Sequence, residues 1–334
     1  MQNAQKKISL TGIQATGDLH IGNYFGAIKP ALELAKEYDA RYFIADGHSL
    51  NSVKDPKVLN YNIRAVAAGW LAAGLDPEKV IFYRQTSVPE VFELTIILMA
   101  STSKGLMNRA HAYKAAVQAN NEKGNDPDDG VNMGLFTYPA LMAADIILFD
   151  SDVVPVGEDQ TQHIEMARDI AQAFNSNYGQ VLKVPKAAVQ KEVAVVPGLD
   201  GRKMSKSYGN GIPLFAPEKQ LRKLIMQIVT NSQGVEEAKD PDTSLIFSFY
   251  KLFATQEEQA ALAARFRAGG MGWGEAKEEL FKAANRVLTP MRQKYDELMA
   301  NPKMLDEILA KGAERARPIA AATVKRARKA AGID

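Results

Sequence analysis

The chain has 334 residues, of which 46% are hydrophobic and 24% are charged, and its formal net charge is +2. This composition is typical of a globular protein with one large domain and a smaller one, and the small net charge leaves nucleic-acid binding to local basic patches. The absence of cysteine excludes disulfides, thiolate zinc sites, iron–sulfur clusters and cysteine nucleophiles.

The first residues carry two lysines before a short apolar run, which is not the pattern of a signal peptide. The sequence also contains no apolar run of about 18 residues, the length that a membrane-spanning helix needs. We therefore predict a cytoplasmic protein without a membrane segment.

Short apolar runs alternate with helical spacing through the first half of the chain. Runs rich in β-branched and aromatic residues predict strands at residues 7–11, 41–45, 79–83 and 153–156. Apolar residues at helical spacing predict helices at residues 22–38, 57–73 and 160–174. A strand–helix–strand order favours a parallel sheet with right-handed crossovers.

The second half is mainly helical after a polar, turn-rich stretch at residues 120–129, which predicts a mobile surface loop. Helices are predicted at residues 217–229, 256–268, 274–299 and 302–334. The fold class predicted is α/β, a Rossmann-like doubly wound parallel sheet with an α-helical C-terminal domain. The domains predicted are residues 1–212, with a helical insertion around 100–150, and residues 213–334, a helical domain.

A lysine-bearing loop is the most specific chemical signal. Residues 203–207 read Lys-Met-Ser-Lys-Ser and follow a glycine-containing turn. Lys203 and Lys206 can supply positive charge to a polyphosphate, while Ser205, Ser207 and backbone N–H groups can donate hydrogen bonds. A basic surface turn is the alternative interpretation.

A second segment follows the first predicted strand, where glycines would let a ligand approach the backbone. His20 and Asn23 lie in the first turn of a helix that begins near Gly22, and the N-terminal end of a helix favours phosphate. The alternative is a capped helix whose histidine is satisfied by the protein itself.

Together the two segments resemble the paired signatures of the class I aminoacyl-tRNA synthetases. The early His-Ile-Gly-His pattern stands here as residues 20–23, with Asn23 in place of the final histidine, and Gly-Asn at this point is common in the tryptophanyl enzymes. The resemblance implies catalytic roles for His20, Asn23, Lys203 and Lys206.

Residues 138–148 and 154–165 are similar, at most positions, to the tryptophanyl-tRNA synthetases. An indole needs flat apolar walls and one acceptor for its N–H. On a helix beginning near residue 139, Tyr138, Met142 and Asp145 share one face. The resemblance implies that Asp145 accepts the indole N–H, Met142 packs on the ring, and Tyr138 with Gln160 holds the α-amino group. A buried aspartate that accepts from backbone N–H groups is the alternative for Asp145.

The carboxyl end of the predicted strand 153–156 is where ligands of open α/β sheets bind. The resemblance places the ATP ribose there, against Gly157, Glu158 and Asp159. The further ATP-binding positions that it implies are Gln14, Ala15, Thr16, Gly22, Asn23, Val195, Lys203, Met204, Ser205, Lys206 and Ser207. It also implies Mg²⁺ bound with ATP, with no protein metal ligands, zinc or iron–sulfur cluster.

Five other residues are open to more than one interpretation. His163 and Glu165 invite a metal site, but without a third ligand a packed or capping histidine is favoured. His48 is a candidate to line the cleft beside the substrate carboxylate or phosphate. Arg109 and Lys114 lie where the family often places a lysine near pyrophosphate, although this stretch departs from the common family pattern.

The last predicted helix is rich in basic residues. They are Lys311, Arg315, Arg317, Lys325, Arg326, Arg328 and Lys329. Such a run is either a solvated face or a surface for the tRNA backbone.

The resemblance thus implies a tryptophan–tRNA ligase whose partners are ATP, L-tryptophan and tRNA(Trp), and a homodimer. Three alternatives remain from the residues themselves. They are a tyrosyl-tRNA synthetase, an adenylyl- or nucleotidyltransferase that does not use tRNA, and a catalytically silent RNA-binding paralogue.

Overall fold

Five parallel strands lie at the centre of the part of the chain that the structure describes. The computed structural model describes residues 6–156, 161–185, 187–189 and 196–334. Its strands are β1 (Ile8–Ile13), β2 (Asp39–Ile44), β3 (Ile81–Arg84), β4 (Val154–Val156) and β5 (Ala187–Val189). β1, β2 and β3 pair in that order, β4 pairs with β5, and both sets are parallel.

The two sets of strands meet where β1 passes residue 153. The Leu10 N–H donates to the Val153 carbonyl at 3.0 Å, and the Val153 N–H donates to the Ile8 carbonyl at the same distance. The spatial order of the strands is therefore β3-β2-β1-β4-β5, which is the order of a Rossmann fold. The predicted fold class is confirmed.

The described helices cover both faces of this sheet and form most of the C-terminal part. They are α1 (Ile21–Asn23), α2 (Lys29–Leu34), α3 (Asp46–Ser49), α4 (Pro56–Ala72), α5 (Glu90–Met99), α6 (Lys104–Met107), α7 (His111–Glu122), α8 (Met133–Ile147), α9 (Thr161–Tyr178), α10 (Glu218–Met226), α11 (Leu245–Phe253), α12 (Gln256–Ala268), α13 (Trp273–Met299) and α14 (Pro302–Ala331). No helix within these residues combines the length and the apolar composition that crossing a bilayer requires.

Side chains of β2 show why both faces of the sheet are covered. Tyr42 and Ile44 belong to one apolar cluster, and Phe43 belongs to the other together with Leu10. Successive side chains of a strand point to opposite faces, so this alternation buries both. Trp70 of α4 stacks on Tyr42 with 5.1 Å between ring centroids, which fixes α4 against the sheet.

The predicted helix at residues 22–38 is divided in the structure. Between α1 and α2 the chain makes a π-helical segment, Tyr24–Ile28, in which the Lys29 N–H donates to the Tyr24 carbonyl. Pro30 follows at the start of α2 and has no N–H to donate. The wider π-helical turn accommodates Pro30, which has no N–H to donate to the carbonyl four residues earlier.

Helix α8 begins six residues before the predicted start near residue 139. Asn132 caps it by accepting the Leu135 N–H at 2.9 Å, and Pro139 lies inside the helix. The prediction was wrong because it took the proline as the first helical residue, whereas the cap at Asn132 and the buried face formed by residues such as Ala143 sustain the helix through it.

Helix α14 returns from the C-terminal part to pack on β3. At their closest approach, a Cβ atom built on Gly312 would lie 1.7 Å from the Phe82 carbonyl oxygen. Leu305, Leu309 and Ala316 of the same helix are also buried. The division of the chain at residue 213 stays a prediction, and the last helix contacts elements from both sides of it.

Candidate active site

The early turn and the late lysine-bearing loop lie against each other. The Lys206 ammonium donates to the Gly17 carbonyl at 3.0 Å, and the Gly22 N–H approaches the Met204 sulfur at 3.3 Å. The Ile21 N–H donates to the Ile212 carbonyl at 2.9 Å. Nearly 190 residues of sequence therefore separate two segments that form one surface at the carboxyl end of the sheet.

His20 and Asn23 cap the first helical turn reciprocally. The Asn23 N–H donates to His20 Nδ1 at 3.1 Å, and the His20 N–H donates to Asn23 Oδ1 at 3.0 Å. Nδ1 accepts a hydrogen bond, so the ring proton of the neutral imidazole resides on Nε2. Burial, followed by the nearby charge of Lys206, lowers the pKa of His20 to about 4. His20 is therefore a neutral group with an Nε2–H donor at neutral pH.

Two glycines make this close approach sterically feasible. Gly17 has φ of +123°, a conformation that residues with a side chain rarely adopt. A Cβ atom on Gly22 would lie 2.9 Å from His20 Nδ1 and 3.4 Å from Met204 Cβ. A larger residue at Gly22 would separate the histidine from the loop.

The lysine-bearing loop is organised by Asn210, a residue that the motif analysis did not single out. Its Oδ1 accepts the Ser205 N–H at 2.9 Å, and its Nδ2 donates to Asp200 Oδ1 at 2.7 Å and to the Lys203 carbonyl at 3.2 Å. Asn210 is 4% exposed. An asparagine between two glycines, at residues 209 and 211, is the sequence signal that indicates such a role.

Met204 anchors the loop to the core, whereas its lysines are exposed. Met204 is buried, and its N–H donates to the Val196 carbonyl at 2.9 Å. Partial desolvation lowers the pKa of Lys206, and the carboxylate of Asp18 opposes that change. Lys203 pairs through its backbone with Pro197. The loop therefore presents cationic side chains from a backbone that is held in place.

The segment after β1 is tied to the neighbouring strand connection. The Ala15 N–H donates to Ser49 Oγ at 2.8 Å, and Asn62 Nδ2 donates to the Ala15 carbonyl at 3.1 Å. Gln14 is exposed and Thr16 is partly buried on either side of Ala15. These predicted ATP-binding positions thus lie beside α3, at the carboxyl ends of β1 and β2.

Asp145 lies in a buried polar network. Its carboxylate accepts hydrogen bonds from Gln85 Nε2 at 2.8 and 2.9 Å and lies 3.0 Å from His48 Nε2. Asp145, Gln85 and His48 are respectively 3%, 1% and 7% exposed. The partners among the described residues are side chains rather than backbone N–H groups. The indole-acceptor role of Asp145 stays a prediction.

The network places Asp145 close to the segment that follows β1. His48 contacts Asp145, and the next residue, Ser49, accepts the hydrogen bond from Ala15. Both residues belong to α3, which starts directly after β2. Helix α3 therefore connects the segment after β1 to the predicted indole acceptor. The role of His48 beside the substrate carboxylate or phosphate stays a prediction.

Gln85 was not among the predicted site residues. It follows β3 directly, as Asp46 and His48 follow β2. Polar residues that directly follow two adjacent parallel strands meet at one edge of the sheet. This position in the sequence is the feature that could have identified Gln85 as a site residue. Asp46 is also buried there, paired with Arg84 and bonded to the Thr86 N–H at 3.0 Å.

Tyr138 and Met142 are partly buried on α8, on the same helix as Asp145. The Tyr138 hydroxyl lies 2.8 Å from His163 Nε2, and their rings meet edge to face at 5.6 Å. Glu165 is exposed, and the described residues hold no group of three or more histidines or carboxylates that suits a metal ion. The packed interpretation of His163 is favoured.

The family model of the class I tRNA synthetases for tryptophan and tyrosine matches residues 2–289. The chain belongs to this family. The resemblance predicted from the two motifs is confirmed.

Members of the family share most of their length with this chain. The tryptophan–tRNA ligase of Bordetella parapertussis is 51% identical over 328 residues, which are 97% of this chain and 72% of that one. The tryptophan–tRNA ligase of Neisseria meningitidis is 49% identical over 331 residues, 98% of both chains. The structure of the tryptophanyl-tRNA synthetase of Campylobacter jejuni, complexed with ADP and tryptophan, has a TM-score of 0.88 at 45% identity and covers 97% of this chain and 99% of that one.

Several predicted positions lie outside the described residues. They are Gly157, Glu158, Asp159, Gln160 and Val195. The side chain of Ser207 is likewise outside the description. Their predicted contacts with the family's substrates stay predictions.

Arg109 and Lys114, the candidate pyrophosphate ligands, are exposed. The guanidinium of Arg109 lies 3.6 Å from Asp169, and its carbonyl accepts Gln162 Nε2 at 3.1 Å. Lys114 belongs to α7. Since neither residue is placed against the His20 turn by a described contact, their roles stay predictions.

The basic residues of α14 are largely engaged within the chain. Arg317 pairs with Glu90 at 3.0 Å, Arg326 with Asp150 at 2.8 Å, and Arg328 with Glu93 at 2.9 Å. Arg315 donates to the carbonyls of residues 77 and 80. Four of the seven basic residues thus hold α14 against the α/β part of the chain. Neither a solvated face nor a surface for the tRNA backbone, the two interpretations of these residues, predicted this role.

Proposed function

We propose that this chain is a tryptophan–tRNA ligase, which converts L-tryptophan and ATP to tryptophanyl-adenylate and then transfers the tryptophanyl group to tRNA(Trp). The observation that carries the proposal is the convergence of the His20 turn, the loop at residues 203–207 and Asp145 at one edge of the sheet, with α3 between them. The relatives with about half of their residues identical, which are named tryptophan–tRNA ligase, support it.

In the first step, a carboxylate oxygen of tryptophan attacks the α-phosphorus of ATP, and the bond from that phosphorus to the β-phosphate oxygen breaks. Pyrophosphate leaves with its negative charge. Such a transfer depends on alignment and on charge stabilisation more than on a protein base. Lys203 and Lys206 are the groups that would stabilise the departing charge, since both belong to the loop beside the His20 turn.

His20 would contribute a hydrogen bond and no net charge. Its Nδ1 is occupied by the Asn23 N–H, so Nε2–H is the donor left for a phosphate oxygen. The low pKa of His20 keeps this arrangement through neutral pH. A fixed donor aimed at developing charge needs no reorganisation during the reaction.

Magnesium would enter with ATP, bound by phosphate oxygens. The described side chains around the His20 turn fit this arrangement, because imidazole, amide and ammonium groups contact phosphate directly. Mg²⁺ supplies charge neutralisation on the triphosphate.

Asp145 would select the amino acid. A carboxylate at the end of an aromatic slot accepts the indole N–H, and a buried polar acceptor discriminates strongly against side chains that leave it unsatisfied. Met142 and Tyr138, on the same helix, would pack against the ring and hold the α-amino group, the latter together with Gln160.

In the second step, the 2′-hydroxyl oxygen of the terminal adenosine of tRNA attacks the carbonyl carbon of the adenylate. The anhydride bond from carbonyl carbon to phosphate oxygen breaks, AMP leaves, and the hydroxyl proton is released. A homodimer and a cytoplasmic location remain predictions that accompany this function.

The experiment that tests the proposal is amino-acid-dependent exchange of pyrophosphate into ATP across the twenty amino acids, followed by charging of purified tRNA. Exchange with tryptophan and charging of tRNA(Trp) are expected. Exchange with tyrosine would identify the tyrosyl alternative, exchange without charging a transferase that does not use tRNA, and no exchange the silent RNA-binding paralogue.

A further inference from the structure

The orientation of the Gln85 amide is determined by the backbone of α3. Its Oε1 accepts the Gly47 N–H at 3.1 Å and the His48 N–H at 3.4 Å. Because only the amide oxygen can accept from N–H groups, Nε2 has to face the opposite direction, toward Asp145. Gln85 is 1% exposed, so neither end of the amide is satisfied by bulk water.

Gln85 and His48 occupy most of the acceptor capacity of Asp145. Gln85 Nε2 reaches both carboxylate oxygens, and His48 Nε2 reaches Oδ2. A carboxylate offers about four acceptor positions, two on each oxygen. Three are occupied by these described side chains, and the fourth lies on Oδ1.

We infer that Gln85 is a positioning residue for amino-acid selection, which orients the Asp145 carboxylate so that one Oδ1 lone pair faces the indole N–H. This inference rests on the proposed function. Gln85 acts through Asp145 and does not itself contact the substrate. The ligand feature that it helps to recognise is an aromatic N–H donor.

The surrounding charges explain why the carboxylate needs two donors. Burial raises the pKa of Asp145, the bonds from His48 and Gln85 oppose this rise, and the charge of Asp46 adds to it. The buried phenol of Tyr83, on β3, also lies near this carboxylate. If Asp145 were protonated, its carboxyl group would accept fewer hydrogen bonds. The donors Gln85 and His48 favour the ionised form, and they therefore also favour recognition of the indole N–H.

Gly47 provides independent geometric support. A Cβ atom built on it would lie 2.8 Å from Gln85 Oε1. Only glycine allows the amide oxygen to reach the N–H groups of α3 without displacement. A substitution at Gly47 therefore moves the Gln85 amide while leaving its chemistry intact.

The test compares tryptophan with its analogue in which a ring sulfur replaces the indole N–H, by pyrophosphate exchange. Gln85→Met removes the amide and keeps the length of the side chain. We expect kcat/KM for tryptophan to fall about 10- to 100-fold, the range for a lost hydrogen bond to a charged group, while kcat/KM for the sulfur analogue changes less than about threefold. Equal losses for both substrates would overturn the inference.

Two further variants keep the result interpretable. Gly47→Ala should reduce the preference for tryptophan over the analogue in the same direction, and it tests the inference even if Gln85→Met does not fold. Asn175→Leu is the matched control, because Asn175 is also a buried amide, 3% exposed, that bonds to backbone groups of residues 181 and 182. This control should leave the preference unchanged.

Failure of the inference is distinct from failure of the proposed function. If the wild-type protein shows no exchange with tryptophan, the proposed function is wrong. If the wild type and Asp145→Asn behave as expected but Gln85→Met and Gly47→Ala keep the full preference, Asp145 acts without Gln85 and only the inference is wrong.

Discussion

The ammonium group of Lys206 donates to the carbonyl oxygen of Gly17 at 3.0 Å, across 189 residues of sequence. Through this bond the second lysine of the loop rests on the backbone that precedes the His20 turn. The contact desolvates the ammonium group, lowering the pKa of Lys206, while Asp18 keeps a negative charge nearby. A phosphate oxygen that took the place of the Gly17 carbonyl oxygen would bind an ammonium group that is already positioned beside the His20 turn.

Replacing Lys206 should separate chemistry from binding. For Lys206→Ala we expect the rate of tryptophanyl-adenylate formation to fall about 100-fold or more, as for other groups that stabilise transition-state charge, with little change in the affinity for tryptophan. Single-turnover adenylate formation and equilibrium titration with tryptophan measure the two quantities. Equal losses in both would contradict the role assigned to Lys206.

Asp145→Asn should reduce amino-acid selection. The asparagine side chain has an NH₂ group in place of one carboxylate oxygen. This NH₂ group would face the N–H of Gln85 Nε2 or His48 Nε2, and the repulsion between two donors would turn the remaining acceptor oxygen away from its present orientation. We expect kcat/KM for tryptophan in pyrophosphate exchange to fall at least about 10-fold relative to that for tyrosine or phenylalanine. Asp169→Asn, at an exposed carboxylate, is the control. An unchanged preference would remove Asp145 from the pocket.

The low pKa of His20 predicts a pH-dependent contribution to stability. In the folded protein the pKa of His20 is about 4, against 6.5 for a solvent-exposed histidine, so the unfolded chain binds more protons between these values. The contribution of His20 to the free energy of unfolding should therefore be fully present above pH 6.5 and should decrease as the pH falls from 6.5 to 4. Because His20 is only partly buried, solvent screening should keep the full difference well below about 3 kcal/mol.

Urea denaturation of the wild type and of His20→Asn between pH 4 and 7.5 measures this contribution. Asparagine can still cap the helix but does not titrate. The difference in the free energy of unfolding between the two proteins should change with pH only below 6.5. A difference that stays constant throughout would show that His20 titrates normally.

The close contact between α14 and β3 predicts that only glycine is tolerated at position 312 without a loss of stability. Gly312→Ala would place a methyl group 1.7 Å from the Phe82 carbonyl oxygen, so α14 has to move away. We expect a loss of stability of about 1–3 kcal/mol, as for other overpacked contacts, measured by denaturation.

Gly274→Ala is the matched control for this prediction. Gly274 also lies in a helix, α13, but a Cβ atom there meets no atom within 4 Å. Its replacement should increase stability by about 0.5–1 kcal/mol, the helix-propensity difference between the two residues. A similar effect at both glycines would mean that α14 does not rely on close packing.

The local elements were largely predictable because their signals are local. The predicted strands overlap β1, β2, β3 and β4, since β-branched and aromatic runs mark buried parallel strands. Helix α11 has no counterpart among the predicted elements: its residues are apolar or aromatic over most of nine positions, so periodicity does not distinguish it from a strand.

The sequence by itself determined the two motifs, the family and the position of Asp145 on a helix with Tyr138 and Met142, because residue type and spacing along a chain record these directly. Only the tertiary structure decided that Gln85 and His48 hold Asp145, that Asn210 organises the lysine-bearing loop, and that α14 returns to β3. Each of these depends on which donor meets which acceptor across distant segments. Helical or strand periodicity carries no information about such partners, which become neighbours only when the parallel strands align their carboxyl ends.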